Sequence, residues 1–282
     1  LALMNPGDLL LLPDPGYPDY LSGVSLGRVT YETFPLTAEN DFLPDLDAIP
    51  EETARRAKFI YINYPNNPTG AVATKAFYEK LVAWAKTYEV GVVSDLAYGA
   101  LGYQGYENPS FLSTPGAKDV GIEFYTFSKT FNMAGWRLAF AAGNDQMIEA
   151  LNLIQDHLFV GIFPALQEAG IAALLDPKSE EAVAQLNATY DSRRDAFVQA
   201  AAKIGWKAFP SKGSFYAWMP VPEGYTSESF ADLLLDKAYV AVAPGKGFGT
   251  AGDAYVRIGL LVEPERLVEA VDRIANLQLF NN

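Results

Sequence analysis

The chain has 282 residues, of which 50% are apolar, enough for one large domain with a smaller one beside it. It contains no cysteine and a single histidine, His157, so disulfides, thiol nucleophiles and histidine-rich metal sites are excluded. The net charge of −13, with no basic cluster, argues against nucleic acid and anionic membrane surfaces as partners.

The start of the chain predicts neither a membrane anchor nor a secretory leader. No apolar run approaches the roughly 18 residues of a transmembrane helix, so a cytoplasmic protein is expected. Leu1-Ala2-Leu3-Met4 is typical of the last turn of an apolar helix, and the stop signal Asn5-Pro6-Gly7 follows it. We therefore expect further sequence upstream of Leu1.

Short apolar strands alternate with helices or long connections in the first half of the chain. A helix is predicted after Thr74, its candidate N-cap, because Phe77, Leu81, Trp84 and Tyr88 form one apolar stripe. This alternation indicates an α/β fold with a mainly parallel sheet and helices on both faces. The predicted strands are 8–12, 28–34, 58–63, 90–94, 122–126 and 138–142.

The second half indicates a smaller α+β unit. A long helix over 178–204 is suited to bridging two domains, so we place a large domain at 1–190 and a small C-terminal domain at 191–282. The remaining predicted elements are strands at 206–209, 215–219, 239–243 and 255–260 and helices at 229–237 and 263–277.

Three polar signatures follow predicted strands of the large domain. Asn66-Asn67-Pro68-Thr69-Gly70 follows the third strand, Asp95-Leu96-Ala97-Tyr98 follows the fourth, and Lys129 follows the fifth. Each signature alone also fits a structural role, as a turn, a helix cap or a strand-end lysine. Because ligands bind outside the carboxyl ends of strands in open α/β sheets, the coincidence of all three predicts one site.

These residue types suit a pyridine cofactor that carries an aldehyde. A partly desolvated Lys129 can form an imine with the aldehyde, and a carboxylate such as Asp95 favours a protonated ring nitrogen. Asn67 and Tyr98 can donate hydrogen bonds to the ring hydroxyl. The apolar ring face needs a flat partner, which Tyr17 can supply.

Two anionic groups also need partners. A cofactor phosphate calls for hydroxyls and a guanidinium, for which Thr126, Ser128 and Arg137 are the candidates. Arg257 lies in the apolar strand segment Tyr255-Val256-Arg257-Ile258-Gly259, where a buried anion is the expected partner. A planar carboxylate fits the guanidinium fork.

The same motifs, in this order and spacing, resemble those of fold-type I, pyridoxal-phosphate-dependent class I/II aminotransferases. The resemblance runs from Asp8 to the C-terminus. The matching motifs are Pro-Gly-Tyr-Pro at 15–18, Asn-Asn-Pro-Thr-Gly at 66–70, Asp-Leu-Ala-Tyr at 95–98, Ser-Lys-Thr-Phe-Asn-Met-Ala-Gly-Trp-Arg at 128–137 and Arg-Ile-Gly-Leu at 257–260.

The resemblance implies a role for each of these residues. Lys129 would form the Schiff base with pyridoxal 5'-phosphate and shuttle a proton, and Arg257 would clamp the substrate α-carboxylate. The other implied contacts are Asp95 to the ring nitrogen, Asn67 and Tyr98 to the ring oxygen, Tyr17 to the ring face, and Thr126 and Arg137 to the phosphate. Thr126 replaces the family's more usual serine, and a cis Asn67–Pro68 bond is expected, as in similar enzymes.

In one respect the chain departs from the family pattern. The family's phosphate-binding Gly-Ser loop and a segment that shapes the substrate pocket lie upstream of the position that Leu1 occupies. We therefore expect the front of the family fold, with part of its phosphate site, to be missing from this numbering. Family members are also homodimers with shared sites, so a homodimer is expected here.

Three rival sites are disfavoured by spacing. The glycines of Gly245-Lys246-Gly247-Phe248-Gly249 break the G-x-G-x-x-G pattern of nicotinamide-binding folds and fit a loop better. Val240 stands where a P-loop requires glycine. Thr126 stands where a serine–lysine hydrolase needs its serine.

The predicted function is transfer of an amino group between an L-amino acid and a 2-oxo acid, within amino-acid and particularly lysine biosynthesis. The sequence resembles the LL-diaminopimelate, N-acetyl-diaminopimelate and aspartate aminotransferases, with a slight preference for the acetylated substrate. Two alternatives stay open: a carbon–sulfur lyase with the same cofactor contacts, and a catalytically silent binding module. No metal site is expected.

Overall fold

The computed structural model describes residues 1–280 and contains nine strands within them. The strands are β1 (Leu9–Asp14), β2 (Thr30–Pro35), β3 (Ala57–Asn63), β4 (Gly91–Asp95), β5 (Gly121–Thr126), β6 (Ala139–Gly143), β7 (Tyr216–Pro220), β8 (Ala243–Pro244) and β9 (Tyr255–Gly259). The first six form one sheet in the order β2-β1-β3-β4-β5-β6, and the other three form a second sheet in the order β7-β9-β8.

The helices within the described residues range from single turns to one of seven turns. They are α1 (Tyr20–Gly27), α2 (Glu51–Arg56), α3 (Lys75–Tyr88), α4 (Ala117–Val120), α5 (Phe127–Thr130), α6 (Asp145–Ile154), α7 (Pro164–Leu175), α8 (Ser179–Lys203), α9 (Ser227–Leu233) and α10 (Pro264–Ala275). Turns of π-helix continue α6 to Phe159 and α9 to Ala238. None of the helices among residues 1–280 is both long and apolar enough to cross a membrane.

The large sheet confirms the predicted parallel α/β architecture. Its strands β2, β1, β3, β4 and β5 pair in parallel, and β6 alone pairs antiparallel with β5. Apolar side chains of α3 pack on one face, and those of α1 and α6 pack on the other. Because both faces are covered, β1 is a continuous run of buried leucines, Leu9 to Leu12.

The helix predicted after β3 forms as expected. The Thr74 hydroxyl accepts a hydrogen bond from the Phe77 amide at 3.1 Å and so caps the first turn of α3. Phe77, Leu81 and Trp84 are buried against the sheet, while Tyr88 is partly buried at the end of the stripe.

The second sheet has its own apolar core, built with α8, α9 and α10 around Trp206, Phe230 and Val271. Trp218 of β7 instead packs into the core of the large sheet. The two sheets occupy residues 9–143 and 216–259, on either side of α8. The proposed domain boundary at 190/191 falls inside that helix and stays a prediction.

Three local predictions were wrong. Residues 1–4 are not helical; Leu3 and Met4 pack against the large sheet instead. Residues 206–209 form no strand, since only the Phe209 amide reaches the neighbouring backbone, at the carbonyl of Trp218. In 239–243, Tyr239 has a left-handed φ of 56° and closes the preceding helix, so strand pairing starts at Ala243.

Candidate active site

The carboxyl ends of β3, β4 and β5 meet at one edge of the large sheet, as the polar signatures predicted. Asn63 at the end of β3 is in register with Asp95 at the end of β4. The antiparallel strand β6 begins beside the end of β5, with Ala139 in register with Thr126. Arg137, two residues before Ala139, is therefore brought back to this edge.

Asn63 ties the loop after β3 to β4. Its side-chain amide donates to the Asp95 carbonyl at 2.9 Å, and its side-chain oxygen accepts from the Asn67 amide at 2.9 Å. Asn63 is buried, so these two bonds satisfy groups that would otherwise be costly to desolvate. This supporting role could not be predicted from the sequence, because a strand-end asparagine carries no signal of its partners.

The Asp95 carboxylate is held by neutral donors only. It accepts hydrogen bonds from the Tyr20 hydroxyl at 2.8 Å and from the Ala97 amide at 3.2 Å. Burial raises the pKa of Asp95, while these hydrogen bonds and the charge of Lys129 oppose the rise. Tyr20 was also missed by sequence reasoning; the only signal was a second aromatic residue three positions after Tyr17.

The Lys129 amine lies beside two aromatic rings, 5.9 Å from the centre of Tyr98 and 5.6 Å from that of Phe215. Burial lowers the pKa of Lys129, and the positive charges of Arg137 and Arg257 lower it further. Asp95 acts in the opposite direction. A lowered pKa favours the neutral amine, which is the nucleophilic form.

Arg257 reaches the same edge from the second sheet. Its Nη1 donates to the side-chain oxygen of Asn67 at 2.7 Å, and its guanidinium lies 4.1 Å from the Tyr216 ring centre and 4.5 Å from that of Phe248. No carboxylate of residues 1–280 forms a salt bridge with it. The guanidinium is thus oriented by packing and keeps donors for a carboxylate.

Tyr98 is buried within a cluster of aromatic side chains. Its ring centre lies 5.2 Å from that of Phe215 and 6.0 Å from that of Tyr216. Burial and the neighbouring Tyr216 raise the pKa of the Tyr98 hydroxyl, whereas Arg257 lowers it. The hydroxyl therefore stays protonated and can act as a donor.

Thr126 and Ser128 form a small hydroxyl group at the end of β5. The Thr126 hydroxyl caps α5 by accepting from the Ser128 amide at 3.2 Å, and it donates to the Ser128 hydroxyl at 2.9 Å. Arg137 is exposed and makes one hydrogen bond, to the Ala134 carbonyl at 3.1 Å. Two hydroxyls and a guanidinium with free donors are the groups that bind a phosphate.

Tyr17 lies at the surface of the site. Its hydroxyl donates to Asp19 at 2.6 Å, which raises the pKa of Tyr17 to about 12, and its ring meets Tyr20 edge to face at 5.6 Å. The charge of Asp95 contributes to the same rise in pKa. Because Tyr20 also donates to Asp95, Tyr17 lies next to the direct partner of that carboxylate, with a partly exposed ring.

The edge of the sheet contains a carboxylate, an amine and a guanidinium, none of which has an oppositely charged hydrogen-bond partner among residues 1–280. Asp95 could pair with a pyridinium, Lys129 could bond to an aldehyde and Arg257 could pair with a substrate carboxylate. The residues present therefore fit a pyridoxal-type cofactor. Within the described residues, no cluster of histidines and carboxylates is arranged to hold a metal ion.

The family model for aminotransferases of class I and II matches residues 1–274 of the chain. The chain belongs to this family. Its members depend on pyridoxal phosphate and exchange amino groups between amino acids and 2-oxo acids. The resemblance stated from the motifs is confirmed, and so are the fold class and the aminotransferase activity.

Several relatives and solved structures support this membership. The L-glutamine–4-(methylsulfanyl)-2-oxobutanoate aminotransferase of Bacillus subtilis is 57% identical over 99% of this chain and 70% of its own. The LL-diaminopimelate aminotransferase of Moorella thermoacetica is 49% identical over 97% of this chain and 70% of its own. The substrate-bound structure of BacF from B. subtilis has a TM-score of 0.94 at 47% identity, covering 99% of this chain and 71% of that one.

As an aminotransferase of this family, the chain also shows the predicted backbone at its asparagine loop. The Asn67–Pro68 peptide bond is cis, as expected from the resemblance. The glycine-rich run Gly245–Gly249 is a loop that starts with a 3-10 turn, as its spacing indicated. His157 lies exposed in the π-helical turn after α6.

Proposed function

We propose that this aminotransferase binds pyridoxal 5'-phosphate at the edge formed by β3, β4 and β5. The observation that carries the proposal is the convergence of Lys129, Asp95 and Arg257, each without an oppositely charged side chain in contact among residues 1–280. When bound, the cofactor supplies an electron sink that stabilises negative charge at the substrate α-carbon.

Four residues are proposed to hold the pyridine ring. Asp95 would keep the ring nitrogen protonated, because a carboxylate with only neutral donors around it favours a cationic partner. Asn67 and Tyr98 would donate hydrogen bonds to the ring oxygen. Tyr17 would cover one face of the ring with its exposed aromatic side chain.

The cofactor phosphate is assigned to Thr126, Ser128 and Arg137. Their support is proximity: Thr126 and Ser128 are hydrogen-bonded to each other, and Arg137 lies two residues before Ala139, which is in register with Thr126. The guanidinium would bind the dianion through paired donors, and the hydroxyls would orient it.

Lys129 and Asp95 are the proposed catalytic residues, and Arg257 is the proposed substrate clamp. The Lys129 amine would hold the cofactor and, once the substrate amine has displaced it, would move the proton at the substrate α-carbon, a role that needs a neutral amine near neutral pH. Arg257 would bind the α-carboxylate and so fix the α-carbon next to Nζ of Lys129.

The substrates are proposed from the relatives. We place L-glutamine with 4-(methylsulfanyl)-2-oxobutanoate first, because the relative named for that pair is 57% identical, and LL-diaminopimelate second, at 46–50% identity. The preference for N-acetyl-LL-diaminopimelate stays a prediction, as does aspartate. All four belong on one panel of donors and acceptors.

A homodimer is proposed from an apolar surface around α6 and α7. Its exposed members are Leu153, Leu158, Phe159, Val160, Phe163, Leu174 and Leu175. Large apolar patches of this kind mark interaction sites on soluble domains. A cytoplasmic location and the domain boundary at 190/191 remain expectations.

The test is spectroscopic and chemical. Addition of pyridoxal phosphate should produce a visible absorbance band, and an amino donor alone should convert that band with release of the matching 2-oxo acid. Release of pyruvate and ammonia from a substrate with a β-leaving group would instead indicate the carbon–sulfur lyase. Absence of any band would contradict cofactor binding and favour the silent module.

A further inference from the structure

The loop Gly245–Thr250 has no role in the proposed function, although it contacts both the large sheet and Arg257. The loop connects β8 to β9. Its Phe248 ring contacts the guanidinium of Arg257 at 4.5 Å and meets Trp218 edge to face at 6.1 Å. The position of the loop therefore determines one of the aromatic surfaces on which Arg257 rests.

The loop and the next residue, Ala251, are held by Asp14 at the end of β1 and by the turn that follows it. Oδ1 of Asp14 accepts a hydrogen bond from the Ala251 amide at 3.0 Å. The Gly16 amide donates to the Phe248 carbonyl at 2.7 Å. These two bonds join residues that are more than two hundred positions apart in the sequence, so they connect the large sheet to the second one.

Gly249 lies at the close contact between the loop and the side chain of Asp14. A Cβ at this position would lie 2.1 Å from Oδ1 of Asp14, and the backbone has a φ of +136° that side chains rarely adopt. Glycine is therefore required for the loop to approach the carboxylate. This approach explains the last glycine of the run Gly245–Gly249.

We propose that Asp14 is a positioning residue for substrate binding, which acts by holding Phe248 against Arg257. The proposal rests on the proposed role of Arg257 as the carboxylate clamp. The same turn carries Tyr17, so a single segment of backbone supports the proposed ring-stacking residue and the packing partner of the clamp. Among residues 1–280, the side-chain hydrogen bond of Asp14 goes to the Ala251 amide and not to Arg257 or a proposed cofactor contact.

The test compares Asp14→Ala with Asp8→Ala in the full chain loaded with pyridoxal phosphate. Asp8 is a matched control, because it precedes the same strand and also accepts a backbone hydrogen bond, from the Asn5 amide at 2.8 Å. Asp14→Ala should raise KM for the amino donor about fivefold to tenfold, in proportion to one lost hydrogen bond, with little change in kcat. Asp8→Ala should leave both constants unchanged.

Hydrogen exchange supplies a readout that does not depend on activity. In Asp14→Ala the amide of Ala251 should exchange faster, while the amides of β4 and β5 keep their wild-type protection. Asp14→Asn keeps one acceptor oxygen and should restore most of the protection and of the KM. Faster exchange with an unchanged KM would overturn the proposal, because the loop would then be held without affecting the clamp.

A double variant separates this proposal from the assignment of Arg257. If Asp14 acts through Phe248, Asp14→Ala should add little to the KM of Phe248→Ala. A full additional effect would show another route and overturn the proposal. If Arg257→Lys leaves KM for the donor unchanged, the clamp assignment itself is wrong, whatever Asp14→Ala does.

Discussion

Asp95 and Arg257 hold opposite charges in one site but reach it by different structural routes. Asp95 is fixed by the register of β4 with its neighbours in a single sheet and by two hydrogen bonds from nearby donors. Arg257 comes from the second sheet and is oriented by Asn67 and by the Tyr216 and Phe248 rings.

The half of the site that contains Asp95 and Lys129 is the more robust one. Strand register places Asp95 at the end of β4 beside the end of β5, and Lys129 follows β5 by three residues, so the sheet brings both to one edge. The orientation of Arg257 depends on side-chain packing between two sheets, which local changes can disturb without unfolding either one. We therefore expect changes near Arg257 to alter substrate binding, and changes near Lys129 to alter the chemical step.

The largest effect is expected from Lys129→Ala. Loss of the amine removes both the bond to the aldehyde and the group that moves the proton, so kcat should fall by at least about a thousandfold. Circular dichroism should show an intact fold, since Lys129 is only partly buried. Lys118→Ala, at an exposed position shortly before β5, is the control; near wild-type turnover by Lys129→Ala would refute the imine assignment.

The second-largest effect is expected from Asp95→Ala, which should slow the chemical step. Removing the partner of the ring nitrogen is expected to cost several kcal/mol of barrier, or about a hundredfold to a thousandfold in kcat. Steady-state kinetics with saturating cofactor measure the change. Asp119→Ala, which alters an exposed carboxylate, is the control. An unchanged kcat in Asp95→Ala would contradict the role of Asp95 as partner of the ring nitrogen.

Arg257→Lys should affect the substrate half alone. Lysine keeps the charge but loses the planar fork, so KM for the amino donor should rise about tenfold to a hundredfold, the equivalent of one charge-assisted hydrogen bond. The absorbance of the bound cofactor should not change. Arg266→Lys on the exposed face of α10 is the control variant. Loss of the cofactor band in Arg257→Lys would contradict the prediction, because Arg257 would then affect the cofactor as well as the substrate.

The smallest expected effect is a lowered pKa of the Lys129 amine in the cofactor-free protein. Because burial and two guanidinium groups disfavour the charged amine, the neutral form should appear below the ordinary pKa of 10.5. Amine labelling as a function of pH, followed by mass spectrometry, locates the midpoint. Arg137→Gln removes one neighbouring cation and should raise the midpoint; a wild-type midpoint at or above 10.5 would contradict the desolvated environment.

Much of the site could be predicted because its residues sit at the ends of recognisable strands. The apolar runs before Asn63, Asp95 and Lys129 indicated parallel strands, whose carboxyl ends share an edge. Residues that support the site through tertiary contacts were missed. No local sequence pattern indicates which residues are contacted by Tyr20, Phe248 and Asp14.

The wrong strand predictions have a related cause. Residues 206–209 and 239–243 are as apolar as true strands, but a strand also needs a neighbour with free backbone groups. The edge of β7 offers one hydrogen bond, to Phe209, and Tyr239 has its backbone committed to closing the preceding helix. The pattern of apolar side chains indicates which residues are buried. It does not show which backbone groups pair, and strand pairing is seen only in the folded sheet.

The sequence alone allowed us to predict the α/β class, most of the strands and the candidate residues for a pyridoxal-type cofactor, since these follow from hydrophobic period, residue chemistry and motif spacing. Only the tertiary structure decided which groups lack a counter-charge, how Arg257 is oriented and which turn holds its loop. Those properties depend on distances between segments far apart in the chain, and the packing of the two sheets sets them.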